Sequence, residues 1–501
     1  MPELPQISNP LEFFIFNGRA IGPQLHLILW GLGLLCIDFL IPKGKKGRVG
    51  AFFAVGGIVM SSLHLYRLWG ESLASAFYGM ITLDSFALFF DMLFLVAAFL
   101  SVLMSYRYME VEEEQGVEYY ALILFATSGM MFMAGAVDLI SLFIGLELMS
   151  ISTYILVGFL RRSKRSNEAS MKYFLLGAFS SGVILYGMSL LYGLSGSTNL
   201  YEIASRVAGL QNSTLLVLSL FMMMAGLCFK IAAVPFHMWV PDAYEGAPTS
   251  ITAFMSVAVK AAAFAIFLRI FFVAFSDLRE VYTLVLALVA MITITWGNLA
   301  AITQQNIKRL LAYSSISHAG FVLMGIVAGT RSGVTAAALY LLAYTFMNLG
   351  TWAVVILLRR QDISGERLED FDGLFFKHPA IAVLMLVFFL SLAGIPPLAG
   401  FIAKYFVFAA VLEVVFAEPG PNTSILVWLA VVAALNVVVS LYYYFRIVVA
   451  MFIKKDYLPA PLSFSGGLIV VLVITGIFTV LIGIYPQPFI ELARAASESL
   501  I

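Results

Sequence analysis

Long apolar stretches recur along the whole chain and are separated by short polar joints. A helix needs about 20 consecutive apolar residues to cross the hydrocarbon core of a bilayer, whereas a membrane β-strand needs about ten residues of alternating polarity. The stretches have the first length and lack the alternation. We therefore predict an all-α polytopic membrane protein with fourteen transmembrane helices, at about 21–42, 49–69, 82–105, 117–135, 136–160, 168–194, 214–240, 246–273, 280–302, 308–328, 333–358, 380–411, 424–453 and 467–487.

The composition supports this class and excludes several others. Hydrophobic residues make up 61% of the chain and charged residues 12%, far from the averages of soluble proteins. The net charge is zero and no basic tract with interleaved aromatic residues occurs, so the lipid bilayer is an expected partner and nucleic acid is not. Cys36 and Cys228 lie within apolar stretches, and neither a cysteine or histidine cluster nor a glycine-rich nucleotide turn is present. We therefore expect no cofactor and no metal in this chain.

The distribution of Lys and Arg predicts the orientation in the membrane. Cytoplasmic joints carry an excess of these residues. The joints after odd-numbered spans are rich in them, whereas the other joints hold Arg67, Arg206, Arg279 and Arg331. Both termini are therefore predicted to lie outside, which requires an even number of helices. The basic residues on the predicted inner side are Lys43, Lys45, Lys46, Arg48, Arg107, Arg161, Arg162, Lys164, Arg165, Lys308, Arg309, Arg359, Arg360, Arg367, Lys377, Lys454 and Lys455.

Prolines interrupt two of the predicted spans near their middles. Pro235 and Pro241 lie in the seventh span, and Pro396 and Pro397 lie in the twelfth. Proline removes a backbone donor, so these helices are predicted to break. Free backbone groups at bilayer depth are tolerated where they line a wet cavity, and breaks in corresponding places of two halves are typical of inverted-repeat transporters.

We predict two inverted five-helix repeats, made of helices 4–8 and 9–13, each with the break in its fourth helix. The match between them is imperfect, because Lys230 precedes its break whereas Lys404 follows its own. The predicted organisation has four parts: N-terminal helices 1–3 at 1–116, the first repeat at 117–273, the second repeat at 274–455, and helix 14 with the tail at 456–501.

Five ionisable residues lie near mid-depth on separate predicted helices: Glu147, Lys230, Lys260, His318 and Lys404. A charge at the bilayer centre costs roughly 2.5–3.5 kcal/mol even on insertion scales, so these residues are predicted to face one another or water. A polar axis along the membrane suits proton transfer, because a buried lysine can release its proton whereas arginine cannot. In this scheme Glu147 switches Lys230 by approach and withdrawal, Lys260 receives the proton, His318 relays it and Lys404 passes it to one face.

Other interpretations remain open from the residues alone. Glu147 and Lys230 are also compatible with a structural ion pair, and His318 with packing. Nearby side chains that could hold linking waters are Tyr313, Ser314, Ser315 and Tyr405.

Several runs of sequence resemble a known family. LFIGLELMSISTYILVGFLRRS, FKIAAVPFHMWVPDAYEGAPTSITAFMSVAVKAAAFA, NIKRLLAYSSISHAGFVLMGI and SLAGIPPLAGFIAKYFVF are similar, in this order, to the antiporter-like subunits of respiratory complex I, and among them to subunit N. The resemblance implies Glu147 and Lys230 as a coupled acid and lysine, Lys260 as the central lysine and Lys404 as the terminal one. The lysine at 404 favours subunit N, because glutamate is expected there in subunit M.

The resemblance also implies a function and partners. We expect a non-redox, proton-translocating membrane-arm subunit of NADH:quinone oxidoreductase in a bacterial inner membrane. Its implied neighbours are the K-type and M-type subunits and the lateral helix of the L-type subunit, with quinone, FMN and iron–sulfur clusters in partner subunits. Two alternatives are a subunit of a Mrp-type cation/proton antiporter and a membrane scaffold that pumps nothing.

Overall fold

A computed structural model of the chain describes residues 17–70, 73–210, 213–359, 365–417, 420–454, 462 and 464–500. Fourteen helices in this part of the chain are long and apolar enough to cross a membrane, which confirms the predicted number. Arg360, Lys455 and the predicted boundary at 455–456 lie outside the described residues. The helices are α1 Gly22–Ile37, α2 Lys46–Leu68, α3 Ser85–Val111, α4 Val117–Gly135, α5 Leu139–Val157, α6 Lys164–Ser195, α7 Leu200–Val207, α8 Thr214–Ile231, α9 Trp239–Gly246, α10 Thr249–Ala274, α11 Arg279–Ile302, α12 Ile307–Ala328, α13 Arg331–Leu358, α14 Leu374–Lys377, α15 Pro379–Ala393, α16 Ala399–Ala417, α17 Thr423–Phe452, α18 Gly466–Ile484 and α19 Gln487–Leu500.

A small hairpin between α2 and α3 is the exception to the all-helical prediction. Strand β1, Leu73–Ala76, pairs antiparallel with β2, Ile81–Leu83. With four and three residues, these strands lie at or below the lower limit of the four to eight residues over which alternation can be recognised, so the sequence does not distinguish them from a polar joint.

The seventh and twelfth predicted spans each correspond to two helices. In the seventh, α8 ends at Ile231, Ala232 takes a left-handed backbone with φ of 66°, and α9 begins at Trp239. In the twelfth, α15 ends at Ala393, Gly394 takes φ of 88°, and α16 begins at Ala399. The chain is thus non-helical for a few residues in each, and the lysines of interest lie close to these interruptions.

Not every proline in the two interrupted spans breaks a helix. Pro235, Pro396 and Pro397 lie in the non-helical segments, but Pro241 lies in the first turn of α9. The first turn of a helix tolerates proline, because its backbone N–H has no partner within the helix in any case. The prediction that Pro241 helps to break the helix is therefore wrong.

The centre of the molecule is formed by α10, α12 and α13. In their most apolar stretches 94%, 94% and 100% of the residues are buried within the chain, against 28% for α1 and 33% for α2 and α17. The latter helices present apolar side chains outward, as a lipid-facing helix does. Helix α10 is irregular: Met255–Val259 and Ile270–Ala274 form π-helical turns on either side of the α-helical segment Lys260–Arg269. Such turns commonly occur at functional sites.

Candidate functional site

Lys230 lies in the last turn of α8, directly before the first interruption. Its side chain is 5% exposed. Its Nζ donates to the Ser150 hydroxyl at 2.9 Å and to the Tyr154 hydroxyl at 3.5 Å, and lies 5.9 Å from the centre of the Tyr154 ring. Both partners belong to α5. The amine is therefore held between two helices by hydroxyl groups, which can either donate or accept a hydrogen bond.

Glu147 lies on α5, one turn before Ser150. The residue is half-buried, and its Oε1 is buried without a hydrogen-bond partner in the described part of the chain. The carboxylate acts electrostatically on Lys230, but no ion pair between the two is present among the described residues. The structure therefore brings the predicted acid and lysine near each other without contact.

Lys260 lies at the start of the α-helical segment between the two π-helical turns of α10. Its side chain is 3% exposed. The Nζ donates to the Ser315 carbonyl at 2.9 Å and contacts the Ser315 hydroxyl, and it lies 5.9 Å from the centre of the Tyr244 ring. Within the described residues no carboxylate pairs with this amine.

His318 lies on α12, one turn after Ser315, and is buried next to the rings of Phe321, Tyr340 and Tyr344. Its Nδ1 is 2.6 Å from the Tyr340 hydroxyl and its Nε2 is 3.2 Å from the Tyr444 hydroxyl. The Tyr444 hydroxyl also contacts the Ser314 hydroxyl. A neutral imidazole has one N–H, so one tyrosine accepts from the ring while the other donates to it. Lys260 and Lys404 both act electrostatically on this ring.

Lys404 lies in the first turns of α16, after the second interruption. Its Nζ donates to the carbonyls of Leu392 at 3.0 Å and Ala393 at 2.8 Å, and lies 5.1 Å from the centre of the Phe321 ring. These carbonyls form the end of α15, where the helix dipole is negative. Gly394 makes this contact possible, because its φ of 88° suits glycine and a Cβ there would lie 2.8 Å from Lys404 Cδ.

Sequence similarity to known proteins identifies the family of the chain. The membrane family NADH:quinone oxidoreductase/Mrp antiporter matches residues 136–435. Over 99% of its length the chain is 50% identical to NADH-quinone oxidoreductase subunit N 1 of Koribacter versatilis, covering 97% of that protein. It is 49% identical to subunit N 2 of Solibacter usitatus, with 97% of this chain and 99% of the relative covered. The chain belongs to the NADH-quinone oxidoreductase subunit N family.

Chains of two solved structures have a similar fold. A chain of respiratory complex I from Thermus thermophilus with bound Aureothin matches with a TM-score of 0.77 and 31% identity, over 94% of this chain and 99% of that one. A chain of the Mrp complex from Dietzia sp. matches with a TM-score of 0.80 at 21% identity, over 96% and 97%, which shows a shared fold alone. The family predicted from the motifs is therefore confirmed.

The hydroxyl partners of the lysines were only partly predicted. Ser314 and Ser315 contact residues of the site, whereas the Tyr405 side chain is 57% exposed. Ser150 and Tyr154 follow Glu147 by one and two helical turns. This spacing places the three side chains on one face of the helix and can be recognised in the sequence. Tyr340 and Tyr444 come from α13 and α17, and no local pattern marks them.

An ion-pair network fixes α9, the helix that follows the first interruption. Asp242 accepts from Lys172 of α6 at 2.9 Å and from Arg309 of α12 at 3.0 Å. Arg309 also pairs with Glu245 at 2.8 Å. Burial opposes the charge of Asp242, but these two hydrogen bonds outweigh it and hold the pKa of Asp242 below its usual value. The short helix is therefore tied by ion pairs to α6 and α12.

Metal binding finds no support in the described residues. No group of three or more His, Cys, Asp or Glu side chains in this part of the chain is arranged to hold a metal ion. The functional groups named at the site are amines, hydroxyls, one imidazole and one carboxyl.

Proposed function

We propose that the chain is a proton-translocating membrane-arm subunit of an NADH:quinone oxidoreductase, and that Glu147, Lys230, Lys260, His318 and Lys404 carry the protons. The observation that carries the proposal is the state of the three lysines. All are at most 5% exposed, and none contacts a carboxylate within the described chain. An uncompensated ammonium in such surroundings is costly, so small electrostatic changes suffice to make it gain or lose a proton.

The first switch in the proposal is the distance between Glu147 and Lys230. When the carboxylate approaches, it stabilises the charged amine; when it withdraws, the Ser150 and Tyr154 hydroxyls remain and the proton can leave. The unpartnered Oε1 of Glu147 supports this switch. A buried acceptor without a hydrogen-bond donor is energetically unfavourable, so movement toward a donor would stabilise it. In this proposal, the movement of the Glu147 carboxylate sets the direction and timing of proton transfer.

The middle of the route uses hydroxyls and the imidazole. Ser315 contacts Lys260, and His318 lies one turn further along α12 with a tyrosine on each ring nitrogen. A neutral imidazole can accept a proton at one nitrogen and release one from the other, which suits a relay between two amines. Lys404 then holds the proton at the carbonyl end of α15, beside the second interruption.

The two interruptions also support a repeated architecture. Each follows a helix that ends in a left-handed residue, and each is followed within seven residues by a second helix. We assign the first repeat to 117–273 and the second, inverted repeat to 274–455. The parts at 1–116 and 456–501 then flank the pair as N-terminal helices 1–3 and as helix 14 with its tail.

Electron transfer belongs to other subunits in this proposal. Quinone, FMN and iron–sulfur clusters are assigned to partner chains, and the neighbours are K-type and M-type subunits and the lateral helix of an L-type subunit. The membrane is the bacterial inner membrane, with both termini on the periplasmic side. The support is the 50% identity to a bacterial subunit N and the match to a chain of a bacterial complex I.

A Mrp-type antiporter subunit is the second candidate. The likeness to the Dietzia Mrp chain at 21% identity concerns the fold, whereas identity to subunit N spans nearly the whole chain, which favours the first candidate. Purification from the native membrane separates them. Flavin and iron–sulfur proteins should accompany this chain, and recovery of antiporter subunits alone would instead establish the second candidate.

The proton route is tested by Lys230→Met, Lys260→Met and Lys404→Met. Each substitution keeps the length of the side chain and removes the exchangeable proton, so the number of protons pumped per electron should fall at least severalfold. Quinone reduction and pumping are measured separately in the same membranes. Lys45→Met, at an exposed joint, is the matched control and should keep the wild-type ratio. Three variants with wild-type ratios would refute the route and favour a scaffold.

A further inference from the structure

Asp91 lies on α3 in the N-terminal helices, outside the lysine axis, and its carboxyl group is completely buried. Its exposed fraction is 0%. Its Oδ2 accepts one long hydrogen bond from Gln24 Nε2 at 3.5 Å, and its Oδ1 is without a partner among the described residues. An ionised carboxylate with so few donors in an apolar surrounding is strongly disfavoured.

Gln24, in the first turn of α1, likewise has a buried side-chain oxygen without a hydrogen-bond donor. The side chain is 3% exposed, and its Oε1 is also buried without a hydrogen-bond partner in the described chain. Its backbone carbonyl accepts from the Ser128 hydroxyl at 3.3 Å, which fixes the start of α1 against α4. Two acceptor oxygens, one on each side chain of a contacting pair, therefore lack a donor. One added proton would satisfy both.

The nearby charges do not supply that donor. Asp84 and Arg269 are the charged groups of the described chain that act electrostatically on Asp91. Arg269 of α10 is already engaged, since it donates to both oxygens of Asp84 at 2.9 Å and from its Nε to the Ala134 carbonyl at 3.0 Å. The other titratable groups of this region, His26 on α1 and His64 on α2, face each other, with 3.2 Å between Nε2 and Nδ1. A cation in contact with Asp91 is therefore absent from the described residues.

We propose that Asp91 and Gln24 form a proton-binding site: the protonated carboxyl donates to Gln24 Oε1 while the Gln24 amide donates to the other carboxyl oxygen. The proton is exchanged with water, and no other bond is formed or broken. The resulting acid–amide pair closes a ring of two hydrogen bonds and leaves neither side chain with an orphaned acceptor. The inference depends on this geometry and not on the proposed pumping function.

The charge of Asp91 can act electrostatically on α10, the helix that carries Lys260. Loss of the proton would place a second negative charge near Arg269, whose partner is Asp84. Arg269 and Lys260 lie on the same helical segment of α10. Ionisation of Asp91 would therefore act on the helix that carries the central lysine of the axis.

Infrared spectroscopy of the purified native assembly tests the site directly, because a protonated carboxyl has a C=O stretch that a carboxylate lacks. At neutral pH the wild type should show this band. Asp91→Asn should remove it while preserving assembly, since the amide keeps the paired hydrogen bonds. Asp277→Asn, at an exposed position, is the matched control and should leave the band unchanged.

A second variant keeps the test decisive if Asp91→Asn fails to assemble. Gln24→Leu removes the acceptor for the carboxyl proton, so the band should move to higher frequency, as expected for a carboxyl that has lost its hydrogen bond. Absence of a protonated-carboxyl band in the wild type would overturn the proposal. A band that is identical in wild type, Asp91→Asn and Gln24→Leu would overturn it as well. Lys260→Met should retain the band, which keeps this result separate from the fate of the pumping proposal.

Discussion

At the first interruption the lysine precedes the break and is held by hydroxyls of another helix; at the second it follows the break and is held by backbone carbonyls. Lys230 donates to Ser150 and Tyr154, whereas Lys404 donates to Leu392 and Ala393. A hydroxyl can donate to a neutral amine or accept from an ammonium, but a carbonyl can only accept. The first site can therefore hydrogen-bond the lone pair of a neutral amine as well as the protons of an ammonium, whereas the second offers partners for amine protons only.

This difference gives the two lysines different roles in one route. A residue that tolerates both states is suited to exchange, and Glu147 lies near enough to bias it. A residue held at the carbonyl end of a helix is suited to retain its proton until its surroundings change. An interrupted helix thus supports two kinds of site, because the lysine is bound by side-chain hydroxyls at the first and by backbone carbonyls at the second.

The second interruption should be the less tolerant of the two, and Gly400→Ala tests this with the largest expected effect. A Cβ at Gly400 would lie 1.7 Å from the Ser391 carbonyl oxygen, so α16 must move away from the end of α15. We expect destabilisation of at least about 3 kcal/mol and loss of the assembled protein. Abundance in the membrane and the thermal unfolding midpoint report it.

Gly182→Ala is the matched control for that substitution. Gly182 lies within α6 with open space around its Cβ position, so alanine there should be neutral or slightly stabilising. Wild-type abundance of the Gly400→Ala variant would show that the second interruption is not tightly packed and would remove the structural half of the comparison.

An intermediate effect is expected from the hydroxyls at the first interruption. Ser150→Ala removes the shorter hydrogen bond of Lys230, and a bond to a charged group contributes about 1.5–3 kcal/mol. The pumping rate should fall roughly tenfold or more while the protein still assembles. Ser189→Ala, at an exposed position on α6, should have no effect. No analogous side-chain variant exists at the second interruption, because there the partners are backbone atoms. If Ser150→Ala pumps normally, the hydroxyls are not the exchange partners.

The smallest effect concerns the left-handed residue at the first interruption. Ala232 has φ of 66°, which costs a non-glycine residue roughly 1–2 kcal/mol. Ala232→Gly should relieve part of this and stabilise by at most about 1 kcal/mol, since glycine adds freedom to the unfolded chain. A slightly higher unfolding midpoint with unchanged pumping is expected. A lower midpoint would mean that the Ala232 methyl group, which is fully buried, packs more favourably than its backbone is strained.

The sequence predicted the fold more completely than the site, for physical reasons. The length of apolar runs is set by the bilayer, so fourteen spans could be counted directly. Proline pointed to both interruptions, but the backbone changes direction at Ala232 and Gly394, and Pro241 proved compatible with a helix start. The β1–β2 hairpin was missed because its strands are too short to show alternation.

For the site, local spacing was informative and distant packing was not. Ser150 and Tyr154 share a helical face with Glu147, so their position could be inferred. The tyrosines around His318 come from α13 and α17, and their approach depends on how whole helices pack. The distance between Glu147 and Lys230 depends likewise on how α5 and α8 pack, and no ion pair joins the two side chains among the described residues.

The most direct test of the central claim is arginine substitution of the lysines at 230 and 404. Arginine keeps the positive charge and can donate to the same partners, but it does not release its proton. If the lysines exchange protons, Lys230→Arg and Lys404→Arg will assemble and reduce quinone, yet pump severalfold fewer protons per electron than the wild type. If the ratio of protons to electrons stays at the wild-type value in both variants, the buried amines serve only as fixed charges and the proposed route is wrong.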